Sequence, residues 1–178
     1  MQVSKELFDQ CCEGNAKAQE ALYRQCYVPL MRVAMRYTSN EQDAADILNR
    51  CFFKVFTKIT TFQGKMEQFG AWIRKILVRE AIDFVRSQKS WDQRKLSAKV
   101  PSSSTSSATE QMIENQNFLH LLQQLPPTTA LVFNLFAIEG YAHKEVAKLL
   151  NITETNAKWH LHSARKKLKQ LLQQTAAL

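Results

Sequence analysis

The amino-acid sequence predicts an all-α protein: two small helical domains joined by a flexible Ser-rich linker, with a helix-turn-helix in the C-terminal domain. Three observations carry this. Apolar residues recur at three- and four-residue spacing through most of the chain, as on amphipathic helices, and strand-like alternation is hard to find. Glycine and proline number only four each. Periodicity then vanishes over residues 90–109, where Pro101 to Thr109 is almost all serine and threonine, a composition suited to a linker. The predicted domains are therefore 1–89 and 110–178.

The first helical stretch runs from Lys5 to Cys26. Leu7, Phe8 and Cys11 share one face and Ala18, Leu22 and Cys26 the next, with Gly14-Asn15 as the break between two helices. Tyr27 to Tyr37 continues the pattern through Leu30, Val33 and Ala34, with Pro29 near a helix start, where its missing N–H does least harm. Thr38-Ser39-Asn40 reads as a turn whose Ser or Asn caps a helix from Glu41 to Lys58. That helix turns Ala44, Ile47, Leu48, Cys51, Phe52, Val55 and Phe56 inward and Asp43, Asp46, Asn49, Arg50 and Lys54 outward.

Residues 60–68 are a loop containing Gly64 and Lys65. It leads into a helix from Phe69 to about Ser87, with Trp72, Ile73, Ile76, Leu77, Ala81, Ile82 and Val85 as its apolar positions. Arg74, Lys75, Arg79 and Arg86 give it a basic face beside Phe62, Phe69 and Trp72. Rings on which bases stack, next to cations that follow a backbone, suit single-stranded nucleic acid. The other reading of these rings is core packing, which for Trp72 alone is the favoured one.

After the linker, Glu110 to Leu125 returns to helix, with Met112, Phe118, Leu119, Leu122 and Leu125 packing. Leu125-Pro-Pro and an apolar run from Leu131 to Ile138 follow. Two helical patterns then flank the polar break Asn151-Ile152-Thr153-Glu154. The first, Ala142 to Leu150, buries Val146, Ala147, Leu149 and Leu150, and the second places Ala157, Leu161, Ala164 and Leu168 on one stripe. Thr153 suits the N-cap, and Glu154 suits the first turn, where the macrodipole favours a carboxylate. Two short helices across a tight turn form a helix-turn-helix, which lays its second helix in the major groove. The outward face of that helix carries Thr155, Trp159, His162, Ser163 and Lys166, flanked by Lys158 and Arg165 on one side and Asn156 on the other. No acidic residue follows Glu154 in this helix, so its surface suits a polyanion.

A net charge of +8 agrees with an anionic partner. Cys11, Cys12, Cys26 and Cys51 form no C-x-x-C pair and read as small buried hydrophobes. No apolar run approaches the ~20 residues that cross a bilayer, and the first residues lack a signal-peptide core, so a cytoplasmic protein without membrane insertion is expected. His160 and His162 point to different helix faces, and no catalytic residue, metal site or cofactor is expected; the chain reads as a non-enzyme. A helix-turn-helix regulator with a sensor domain and a helical interaction module are the alternatives. The basic-aromatic helix argues against the first and the one-signed final helix against the second.

In order, the motifs resemble a bacterial RNA polymerase sigma factor of the extracytoplasmic-function group. The carrying residues are Tyr27-x-Pro29-Leu30, Asp43-Ala-Ala-Asp-Ile-Leu48 with Phe52-Phe-Lys-Val-Phe56, Ala71-Trp-Ile73 with Ile76, and Ala81-Ile-Asp-Phe-Val-Arg86. In the second half they are Leu125-Pro126, Val132-Phe133, Ile138-Glu-Gly-Tyr141, Lys144-Glu-Val-Ala147 and Ala164-Arg-Lys-Lys-Leu168. The resemblance implies a region 2-like domain over 1–89 and a region 4-like domain over 110–178. It implies core polymerase docking through Asp43, Asp46, Asn49, Arg50 and Phe53, with Asn49-Arg50 standing where the family has Gln-Glu. It further implies capture of the melted minus-ten strand by residues 60–68 and the helix from Phe69, and duplex reading of the minus-thirty-five element around Lys158, Trp159, His162 and Ser163. Core RNA polymerase, promoter DNA and an anti-sigma factor are the partners it implies, in transcription initiation.

Overall fold

A computed structural model describes residues 2–92 and 118–175, and all regular structure among them is helical. The chain divides into two compact units, Met1–Ser102 and Ser103–Leu178. Linker residues 93–109 and the expected helical start at 110–117, Met112 included, lie outside the described residues.

In the first unit, α1 (Lys5–Cys12) begins where the Ser4 hydroxyl accepts from the Leu7 N–H at 3.2 Å. Gly14, at φ 79°, turns the chain. Asn15 then caps α2 (Ala16–Ala34), its Oδ1 accepting from the N–H groups of Lys17 and Ala18 at 3.0 and 3.2 Å. Pro29 is not at a helix start, as the sequence suggested, but inside α2. An interior proline costs about 3 kcal/mol. Leu22, Cys26, Leu30, Val33 and Ala34, all buried on either side of it, offset that cost, since a fully buried Val or Leu contributes about 1.5–3 kcal/mol.

Asn40 caps α3 (Glu41–Lys58) reciprocally. Its Oδ1 accepts from the Asp43 N–H and its Nδ2 donates to Asp43 Oδ2, each at 2.8 Å. The predicted stripe of α3 is buried from Ala44 through Val55, with Phe56 half-buried. The stretch expected as a loop contains two 3₁₀ turns, Ile59–Thr61 and Met66–Gln68. α4 (Phe69–Asp92) then packs on α2 and α3. It runs past Ser87, so residues 90–92, expected in the linker, are helical.

In the second unit the described part of α5, residues 118–123, precedes Pro126 and α6 (Pro127–Phe133), which has Pro127 in its first turn. Residues Asn134–Ile138 continue as a π-turn, followed by Gly140 at φ 78°. α7 (His143–Leu150) opens with Glu145 Oε2 accepting from the Ala142 N–H at 2.8 Å and closes on Asn151, left-handed at φ 53°. Val146 and Ala147 are buried as expected, whereas Leu149 and Leu150 are only half-buried. α8 (Glu154–Thr175) follows, capped by Thr153, whose Oγ1 accepts from the Asn156 N–H at 3.1 Å. α8 packs on α6 and α7. Leu122, Leu125, Ala164 and Leu168 form a buried cluster with Leu121, Ala130, Phe133 and Ile138 against it.

Candidate nucleic-acid interface

The packing of α8 fixes what it offers to solvent. Ala157, Leu161, Ala164, Leu168 and Leu171 are buried. Thr155, Asn156, Lys158, Trp159, His162, Arg165 and Lys166 are exposed, and Ser163 is half-buried. All eight residues predicted to meet duplex DNA therefore belong to one helix, with Thr155, Trp159, His162 and Lys166 along its outer side. Trp159 is 63% exposed.

Two interactions on α8 were not anticipated. Lys158 Nζ meets Glu154 Oε1 at 2.9 Å, and the Glu154 carboxyl is held below its ordinary value, chiefly by the Lys158 hydrogen bond and charge. The four-residue spacing of an acid before a lysine was the available signal. His160 sits on the flank towards α6, its Nδ1 3.0 Å from Thr129 Oγ1, and meets the Trp159 ring edge-on at 5.0 Å. No sequence signal pairs His160 with a residue in another helix.

The aromatic set beside α4 differs from expectation. Phe69 is fully buried and offers no face to a base. Its ring stacks on Trp72 at 5.6 Å and meets Phe62 and Phe8 edge-on at 5.2 and 5.0 Å. Phe8, from α1, closes this cluster, so burial of the four rings together outweighs exposure of Phe69. Phe62 and Trp72 are half-buried. Gly64 lies over Phe62: a Cβ there would come within 2.8 Å of the Phe62 ring. Lys65, Lys75, Arg79 and Arg86 are exposed and Arg74 is half-buried; Arg86 also faces Asp83 at 3.8 Å.

On α3, Asp46, Asn49, Arg50 and Phe53 are exposed at helical spacing, and Phe53 is 74% exposed. Asn49 Oδ1 accepts from the Tyr23 hydroxyl at 3.0 Å. Asp43, expected on the same docking face, is half-buried and engaged with Asn40 at the helix start. Lys54 departs as well: it pairs with Glu80 of α4, which is buried. Cys11, Cys26 and Cys51 are buried free thiols and Cys12 is half-buried; burial pushes Cys26 up to about 11 and Cys51 up to about 12.

These surfaces fall within two family matches. The family model for sigma-70 region 2 matches residues 22–90, spanning most of α2 with α3 and nearly all of α4. The model for sigma-70 region 4 matches residues 115–168, which include the helix-turn-helix. The chain belongs to the sigma-70 family. Curated relatives agree with this. The RNA polymerase sigma factor SigV of Bacillus subtilis is 28% identical over 139 residues, covering 76% of this chain and 79% of SigV. The ECF RNA polymerase sigma factor SigE of Mycolicibacterium smegmatis is 23% identical over 158 residues, covering 86% of this chain but 61% of SigE. The same fold is found in the sigma factor RpoE from Bartonella quintana, solved with the anti-sigma factor NepR (TM-score 0.61, 20% identity, 86% of this chain and 98% of that one). It is found also in CnrH, solved with the cytosolic domain of CnrY (TM-score 0.51, 22% identity, 94% and 95%). This sigma factor is thus a promoter-recognising initiation factor of the extracytoplasmic-function kind. None of its described helices is long and apolar enough to cross a membrane.

Proposed function

We propose that three surfaces divide the work of initiation in the cytoplasm. The exposed stripe Asp46, Asn49, Arg50 and Phe53 docks on core RNA polymerase. Residues 60–68 and α4 hold the melted minus-ten strand through Lys65, Arg74, Lys75, Arg79 and Arg86, with the open edges of Phe62 and Trp72 beside it. The outer face of α8, Thr155 to Lys166, enters the major groove of the minus-thirty-five duplex. Residues 1–92 and 110–178 act as the two promoter-binding domains, and residues 93–109 tether them, so that binding by one raises the effective concentration of the other.

The observation that carries this reading is the exposed face of α8. After Glu154 it bears no acid, and its cations flank a row of side chains able to reach base edges. The sigma factor RpoE of the same fold, solved with the anti-sigma factor NepR, supports a protein inhibitor as a further partner. The test is transcription in vitro from genomic fragments by core polymerase lacking any sigma, with the chain or its Lys158→Ala/His162→Ala variant added. Initiation at discrete sites, reduced in the variant, is the expected result. Tight duplex binding without polymerase and with no initiation would replace this reading with that of a regulator.

A further inference from the structure

We infer that Trp159 reads the methyl group of a thymine in the upstream promoter duplex, and that Thr129 and His160 act as positioning residues for its indole. The inference rests on the proposed docking of α8 in the major groove. Trp159 is the largest of the few bulky apolar side chains exposed among the described residues, at 63%. It lies in the second turn of α8, near the end of a recognition helix that reaches base edges. Thr155 and His162 are exposed one turn before and one turn after it, and Lys158, Arg165 and Lys166 supply cations for the phosphates alongside.

The indole is braced. Thr129 is 3% exposed within α6, which packs on α8. Its hydroxyl is 3.0 Å from His160 Nδ1, and the imidazole meets the indole edge-on at 5.0 Å and 77°. A bracket thus runs from the core of the unit to the exposed ring. An aromatic ring held in advance loses less rotamer freedom on binding than a free one.

Its chemistry selects a base. Indole offers an apolar face and one N–H donor, with no acceptor. Cytosine presents a donor in the major groove, which indole cannot satisfy. Adenine and guanine present acceptors but no apolar group. Thymine alone carries a methyl group, with the O4 acceptor beside it.

The test uses holoenzyme assembled from the full chain and core polymerase, on a promoter found as above. Each thymine of the upstream element is replaced in turn by uracil, which removes only the methyl group. At one position the wild-type affinity falls about fourfold, as expected for one buried methyl. Trp159→Ala abolishes the thymine-over-uracil ratio, and Trp159→Phe keeps part of it. Thr129→Val, near-isosteric and without the His160 bond, gives an intermediate ratio at unchanged helix content. If no thymine matters, or if the ratio survives Trp159→Ala, the inference is overturned while the sigma reading stands. Absence of both initiation and duplex binding on every fragment overturns the proposed docking and this inference with it.

Discussion

The pairing of Lys54 with Glu80 joins α3, the proposed polymerase face, to α4, the proposed minus-ten face, and its two halves are unequal. The Glu80 side chain is 8% exposed and that of Lys54 is 45% exposed. Lys54→Met leaves a carboxylate buried with no cation. Stranding one charge of a fully buried pair costs about 3–5 kcal/mol; water entering where Lys54 reached the surface reduces this to about 2–3 kcal/mol. Glu80→Gln keeps an acceptor for Lys54, whose ammonium can also turn to water, so it costs about 1 kcal/mol, the scale of one hydrogen bond. Lys54→Met with Glu80→Leu removes both charges and lies within about 1 kcal/mol of wild type. Urea denaturation followed by Trp72 fluorescence in a Trp91→Phe/Trp159→Phe background isolates the unit that holds the pair. Equal costs for the two single variants, or a larger one for Glu80→Gln, would show that burial of the carboxylate does not set the energetics.

Three further outcomes are expected. The Glu154 carboxyl is depressed in the folded chain, so its contribution is present above the ordinary value of 4.5 and fades as pH falls through the lower folded value; Lys158→Ala should return it most of the way in a carboxyl-carbon NMR titration, and no movement would shift the cause to His143 and Lys144. Iodoacetamide at pH 8 should label Cys12 first and reach Cys26 and Cys51 only in urea, because burial pushes those thiols up to about 11 and about 12 and so keeps them protonated at pH 8; mass spectrometry showing native Cys51 labelled as fast as Cys12 would contradict this. Asn151 is left-handed, so Asn151→Ala should cost about 1 kcal/mol, whereas Asn151→Gly, free of the Cβ penalty, should not destabilise; equal denaturation midpoints would refute the conformational argument.

Local chemistry in this chain was readable and distant contact was not. The start of α3 followed from Ser39-Asn40, of which Asn40 is the cap, and the start of α8 from Thr153, because a cap acts within three residues. The outward face of α8 followed from the spacing of Ala157, Leu161, Ala164 and Leu168. Phe69 was misread because a ring stacked in a core and a ring open to a base occupy the same helical positions; only Phe8, arriving from α1, decides between them. Lys54 was placed with the outer residues of α3 because its acid is on another helix. The π-turn at Asn134–Ile138 left no periodic trace, since counting at 3.6 residues per turn assumes an unbroken α-helix. Pro29 misled for the opposite reason: its local preference is strong, and the packing around it is stronger.

Glu154 gives the helix-turn-helix a property that affinity alone does not describe. A chromosome offers about 10⁶–10⁹ unspecific sites for every correct one. A bare cationic helix end would linger at all of them, because phosphate is the same everywhere. With Glu154 already engaging Lys158, a passing phosphate shares that ammonium with an internal carboxylate. The cost recurs at every wrong site, whereas base contacts are gained only at the right one. If α8 docks as proposed, the carboxylate weakens its hold on phosphate at right and wrong sites alike and leaves base contacts to decide where the helix stays.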